Sequence, residues 1–170
     1  MKTAAIIAEY NPFHNGHLYQ LVQTRLRTNA SFILVIMSGD FLQRGGPAFA
    51  NKYLRTRMAL LGGADAVIEL PALYAVSSAE YFASGAVTLL NQLGVADYLS
   101  FGSELGSLSI MEKCSQILTD HEQDLRLLIK TFLKEGYSFP DARERAASQL
   151  FPSHFSDSSL SFSDRESSRL

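Results

Sequence analysis

Along the first hundred residues, apolar runs alternate with amphipathic stretches, and the alternation predicts the elements. Thr3 to Ala8 is short and apolar, and it ends at Glu9-Tyr10-Asn11-Pro12, where Pro12 keeps a helix from starting early. Leu18, Leu21, Val22 and Leu26 then recur at helical spacing, with Gln20, Gln23, Arg25 and Arg27 between them. Phe32 to Met37 is apolar throughout, as a strand covered on both faces should be. A polar, glycine-bearing loop follows from Ser38 to Ala50. Asn51 suits the cap of a helix to Leu61, closed by Gly62-Gly63.

Ala66 to Leu70 reads as a third strand, stopped by Pro71. Ser77-Ser78-Ala79-Glu80 has capping-box spacing and opens a helix to Leu93, with Gly94 beyond its end. Tyr98 to Phe101 is a fourth strand. Ser109 and Glu112 repeat the capping-box spacing ahead of two helical stretches to about Lys134, and Pro140 starts a last helix through Leu150. Strand and helix alternate four times, which predicts right-handed crossovers and an open, doubly wound, Rossmann-like parallel α/β sheet with helices on both faces. Residues 1–150 are expected to form one such domain. Residues 151–170 carry eight serines from Ser153 onward and few apolar side chains, so a disordered tail is expected there.

Composition changes this picture little. The 170 residues are 46% hydrophobic and 19% charged, which suits one globular domain. No apolar run approaches the roughly 20 residues needed to cross a bilayer, and the apolar start is too short for a signal peptide. A lone Cys114 excludes an internal disulfide and a multi-cysteine zinc site. A soluble, cytoplasmic protein is expected, and nothing points to a protein partner. Net charge is only −2, yet between Gln20 and Ala64 the cations Arg25, Arg27, Arg44, Lys52, Arg55 and Arg57 stand against Asp40 alone, an excess of +5. That segment either faces phosphates or is a solvated helix face.

The chemistry concentrates after the first strand. In open α/β sheets, ligands bind beyond the carboxyl ends of the strands at the switch point, and that place holds Asn11-Pro12-Phe13-His14-Asn15-Gly16-His17. Gly16 lets a phosphate approach the backbone, where free N–H groups and the positive end of the helix dipole favour an anion. Two histidines three residues apart add donors able to stabilise charge developing at an α-phosphate. The same spacing also occurs by chance, as structural histidines or as a partial metal site, but zinc wants three or four ligands and only Glu9 lies near in sequence. No metal site is assigned. Neither a G-x-x-x-x-G-K-[ST] loop nor a G-x-G-x-x-G after a strand is present.

His14-Asn15-Gly16-His17 resembles the HxGH signature of the nucleotidylyltransferase and class I aminoacyl-tRNA synthetase superfamily. The wider string Ile7-Ala8-Glu9-Tyr10-Asn11-Pro12-Phe13-His14-Asn15-Gly16-His17-Leu18 resembles the bacterial tRNA(Met) cytidine acetate ligase family. So do Met37-Ser38-Gly39-Asp40-Phe41-Leu42-Gln43-Arg44-Gly45, Lys52 with Arg55-Thr56-Arg57-Met58-Ala59-Leu60, Val67-Ile68-Glu69-Leu70-Pro71, and Phe101-Gly102-Ser103-Glu104. The resemblance implies ATP as substrate, with Mg²⁺, and activation of acetate to acetyl-adenylate. The acetyl group then passes to the wobble cytidine of elongator tRNA(Met).

By the same resemblance, the nucleotide-contact segment runs from Ile7 through Leu18 to Tyr19 and Gln20. His14 and His17 would lie on the phosphates, and Gly102 would pack against the nucleoside. Asp40, Arg44 and Lys52 resemble the family's active-site loop. Lys52 or Arg44 would hold acetate or the tRNA backbone, and Asp40 would orient a donor or the cytidine amine. Glu9 is expected to pair with a cation or anchor its loop, and Glu69 to be structural. The family's later Asn-containing segment and Ser-Ala-x-x-Ile-Arg-like motif are not matched by Phe151-Pro152-Ser153-His154-Phe155 or by Ser167-Ser168-Arg169. The expectation is therefore a chain truncated after about residue 150, which binds ATP without acetylating tRNA. Two alternatives stay open: adenylyl transfer to a small phosphorylated acceptor, and a nucleotide- or tRNA-binding remnant without catalysis.

Overall fold

The computed structural model describes residues 1–103 and 106–150. The serine-rich tail, its two motif-like stretches, and Glu104 of the Phe101–Glu104 string lie outside the described residues. The described residues fall into two compact units, one ending before and one beginning after residues 104 and 105.

The first unit is a parallel sheet. Strands β1 (Thr3–Ala8), β2 (Phe32–Ser38), β3 (Ala66–Leu70) and β4 (Tyr98–Ser100) stand in the order β3-β2-β1-β4. β1 pairs with β2 from Thr3↔Phe32 to Ala8↔Met37, and with β4 from Ala4↔Tyr98 to Ile6↔Ser100. The chain thus winds outward from β1 to β3, then crosses back to add β4 on the other side. That reversal creates a switch point between β1 and β4.

Alternation along the strands divides the core between the two faces. Ile6, Ile33, Val35 and Met37 point to one face, where Leu21 of helix α1 (Asn15–Thr28) and Ala59 of α2 (Lys52–Leu61) cover them. Ala5, Leu34, Ile36 and Leu70 point to the other, under Ala75 of the short α3 (Ala72–Ala75) and Ala86 and Leu90 of α4 (Ala79–Leu93). Each large aliphatic side chain fully buried this way contributes about 1.5–3 kcal/mol. Asn51 caps α2 through Oδ1, which accepts the Leu54 N–H, and Gly94 closes α4 at φ 64°.

Several local expectations shift. Pro71 opens α3 rather than only ending β3, and the Ser77 hydroxyl donates to Leu73 O at the end of that helix. The cap of α4 therefore falls to Ser78. β4 stops at Ser100, one residue early. On α1, Leu21 and Thr24 are the buried positions, while Leu18, Val22 and Leu26 are exposed. Thr24 hydrogen-bonds Ser100 side chain to side chain at 2.6 Å, which fastens α1 to β4 by a polar contact.

The second unit contains α5 (Leu108–Asp120), α6 (Glu122–Lys134) and α7 (Phe139–Leu150). Leu125, Ala146 and Ala147 form its buried centre. Its first helix is capped at Ser107, not at Ser109, because Gly106 at φ 60° turns the chain two residues sooner. No helix among the described residues is long and apolar enough to cross a membrane.

Candidate nucleotide site

The turn between β1 and α1 is built from its own side chains. Tyr10 takes the left-handed conformation at φ 48° and the Asn11–Pro12 peptide is cis. Tyr10 is buried, packing edge-on against Phe13 with ring centres 5.0 Å apart and against His17 at 4.7 Å. No partner for its hydroxyl occurs among the described residues, and burial pushes the phenol's pKa up to about 12.

His14 and His17 cap α1 reciprocally. His14 Nδ1 accepts the Gly16 N–H at 3.0 Å, and His17 Nδ1 accepts the His14 N–H at 3.2 Å. This is a capping box made of two imidazoles in place of hydroxyl and carboxylate. The rings stack with centres 3.7 Å apart. An Nδ1 that accepts a hydrogen bond carries no proton, so each neutral ring has its proton on Nε2, the remaining donor. Burial first, and the neighbouring His14 second, lower the pKa of His17 below its ordinary 6.5.

These groups border a cavity of about 520 Å³ at the carboxyl end of β1. Of the expected contact segment, Ile7, Ala8, Glu9, Tyr10, Asn11, Pro12, His14, His17 and Gln20 line it, and Leu42 and Arg44 from the loop after β2 close its other side. Phe13 does not line it; its ring packs against the core and leaves no room for a side chain at Gly62, the end of α2. Leu18 and Tyr19 are exposed, and Asn15 and Gly16 form the first turn of α1. Gly102 follows β4 and is exposed, and a Cβ there meets no atom within 4 Å.

The loop from Gly39 to Ala50 is a tight excursion held against this site. Leu42 N–H donates to Gly46 O and Ala48 N–H to Asp40 O. Glu9 Oε1 accepts the Gln43 N–H at 2.7 Å, and Asn11 Oδ1 accepts the Phe49 N–H at 2.6 Å. Glu9 is thus an anchor for the facing loop, not a partner for a cation. Asp40 accepts the Lys52 backbone N–H at 2.8 Å and lines neither this cavity nor its neighbour. Lys52 lies in a second, smaller cavity, where its ammonium pairs with Glu69.

Sequence reasoning missed the part played by Arg55. Its side chain is completely buried, and its guanidinium donates to the carbonyls of Glu9 at 2.6 Å, Ala50 at 3.0 Å and Ser38 at 3.2 Å, and to that of Gly39. One cation from α2 thereby joins the ends of β1 and β2 to the loop. Burial lowers its pKa, with Asp40, Glu9 and Glu69 acting in the opposite direction. The local cationic excess is dispersed accordingly. Arg25 pairs with Asp65 at 2.7 Å, at the amino end of the sheet, and Arg27 bonds Gln23 on its own helix. Arg44 is the cation among them that lines the larger cavity.

The sequence profile of the HIGH Nucleotidyl Transferase family matches residues 1–167. The tRNA(Met) cytidine acetate ligase of Caldicellulosiruptor bescii is 54% identical over 146 residues, covering 86% of this chain and 36% of that protein. The ligase of Acetivibrio thermocellus is 51% identical, covering 86% and 35%. Among solved structures, Thermotoga maritima TmcAL bound with alpha-thio ATP superposes with a TM-score of 0.80 at 40% identity, covering 89% of this chain and 37% of that one. The chain spans about a third of the length of the curated relatives it matches.

Proposed function

We propose, from the premise that this chain belongs to the HIGH Nucleotidyl Transferase family, that it binds ATP and supplies the site at which acetate is activated for a tRNA(Met) cytidine acetate ligase. The observation that carries this reading is the stacked His14–His17 pair, both Nδ1 atoms committed to the cap, at the mouth of the 520 Å³ cavity. Two neutral imidazoles then offer Nε2–H groups to phosphate oxygens beside the positive end of α1. Support comes also from the solved relative described as bound with an ATP analogue.

In the proposed reaction an acetate oxygen attacks the α-phosphorus, the α–β phosphoanhydride breaks and pyrophosphate leaves. The histidines stabilise the charge that builds on the phosphates, an effect worth roughly 10²–10³ in rate for one such donor. Arg44, across the cavity, is the cation suited to the triphosphate or to acetate. Among the described residues no group of three His, Cys, Asp or Glu could hold a metal ion. Mg²⁺ would then ride on the triphosphate oxygens, as it commonly does. The acyl acceptor is the amine of a tRNA cytidine, which implies a cytoplasmic protein.

The test is exchange of labelled pyrophosphate into ATP with the 170-residue chain. Exchange that requires acetate supports the proposal. Exchange that ignores acetate and needs a phosphorylated acceptor would contradict it. Calorimetric ATP titration, with and without His17→Ala, tests the binding step where exchange is slow.

A further inference from the structure

The second cavity, of about 270 Å³, lies at the carboxyl ends of β2 and β3 and shares no lining residue with the nucleotide cavity. Lys52 Nζ donates to both oxygens of Glu69, at 3.0 and 2.7 Å. A strong donor and a strong acceptor thus stand side by side with no net charge. An anion such as acetate would meet the like charge of the Glu69 carboxylate beside Lys52. A neutral ring with an amine beside a ring acceptor can use both groups at once. The size agrees, because pockets for drug-sized ligands begin near 300 Å³, and this one suits a single flat heterocycle.

Two further features point to a ligand. Tyr53 offers an aromatic ring that is 76% exposed, the kind of surface on which an unstacked base settles. Gly39 makes space for the acceptor: a Cβ there would lie 2.3 Å from Glu69 Oε1.

We propose that this cavity receives the cytosine base, with the exocyclic amine donating to Glu69, the adjacent ring acceptor facing Lys52 and the ring lying on Tyr53. The proposal rests on the reading that a tRNA cytidine is the acceptor, and it replaces acetate as the partner of Lys52. Uracil would set a carbonyl against the Glu69 carboxylate, so the site discriminates by a mismatched acceptor pair.

The experiment is NMR titration of the ¹⁵N-labelled chain with cytidine, with uridine, and separately with ATP. Cytidine is expected to shift the amides of Ser38, Tyr53 and Glu69 saturably at millimolar concentration, and uridine to leave them unmoved. Tyr53→Ala removes the exposed ring, and should weaken cytidine roughly five- to tenfold without lowering the unfolding midpoint. Gly39→Ala, which pushes the Glu69 carboxylate aside, should weaken it similarly. Equal responses to cytidine and uridine, or cytidine shifts confined to the His14–His17 turn, would overturn the proposal. ATP shifts at His14 and His17 test the nucleotide reading independently, so that either assignment can fail while the other stands.

Discussion

The two edges of the one sheet use their polar side chains in opposite ways. At the amino edge, Asp65 and Asp97 make the same clasp on neighbouring strands. The Asp65 N–H donates to Ile33 O while its carboxylate accepts the Ile33 N–H at 2.7 Å, and Asp97 does both with Thr3. Arg25 completes the edge by donating to Asp65, Ser31 O and Gly63 O. At the carboxyl edge His14, His17 and Arg44 line an open cavity, and the buried Tyr10 and Ser38 hydroxyls have no hydrogen-bond partner among the described residues. A sheet whose stability is secured at one end can leave chemistry open at the other.

The largest effect should come from the one place where the carboxyl edge is closed. Arg55→Met takes the donor from two buried carbonyls, Ser38 and Gly39, and two part-buried ones, Glu9 and Ala50, at about 1–3 kcal/mol for a buried group left unpaired. A loss of about 3 kcal/mol or more is expected in urea unfolding, with Arg55→Lys recovering only part, because an ammonium cannot span the same carbonyls. A change under 1 kcal/mol would show that the two strand ends need no such clamp.

Asp65→Ala tests the other edge. It strips a partner from the Ile33 N–H and from Arg25, and should cost about 1–2 kcal/mol of stability while leaving ATP affinity unchanged. Burial raises the Asp65 pKa, but the Ile33 N–H and Arg25 outweigh it, so the folded value lies below the ordinary 3.8. This contribution is present above 3.8 and disappears as pH falls through the folded value. Acid unfolding of the variant should therefore be less steep there.

His17 has the same sign at a higher pH. Its folded pKa is depressed below 6.5, so above 6.5 it carries no penalty, and as pH falls the unfolded chain takes the proton first. Stability should decline from pH 6.5 downward and level off below the folded pKa. His17→Gln should flatten that decline in thermal melts recorded across the range.

Gly102→Val should block ATP with little change in the unfolding midpoint, because a Cβ there meets no atom of the described residues within 4 Å. Tyr10→Phe should have the smallest effect. Removing a buried hydroxyl without a partner among the described residues should leave stability equal or slightly higher, and a loss of ATP affinity in that variant would mean the hydroxyl bonds the nucleotide.

Much of this was readable in the sequence where one residue decides the local outcome. β2 is a continuous apolar run because both its faces are covered, and Asn51 and Gly94 act through their own caps. The histidine motif was legible because both of its members lie within one turn. What escaped was set by partners far along the chain. Arg55 looks like any surface cation until the ends of β1 and β2 converge on it. The buried stripe of α1 follows Leu21 and Thr24 instead of the more apolar Leu18, Val22 and Leu26. The histidine cap and the Thr24–Ser100 bond orient that helix, and neither registers in its periodicity. Glu69 reads as structural, and the missing Cβ of Gly39 leaves the space its carboxylate occupies beside Lys52.

The central claim is that the carboxyl edge at β1 is the ligand edge, and ATP titration of the ¹⁵N-labelled chain tests it most directly. The account predicts saturable shifts at His14, Gly16, His17 and Arg44, with the amides of Ile33, Asp65 and Asp97 unmoved. No saturable response at the histidine turn, or one centred on Arg25 and Asp65, would contradict it.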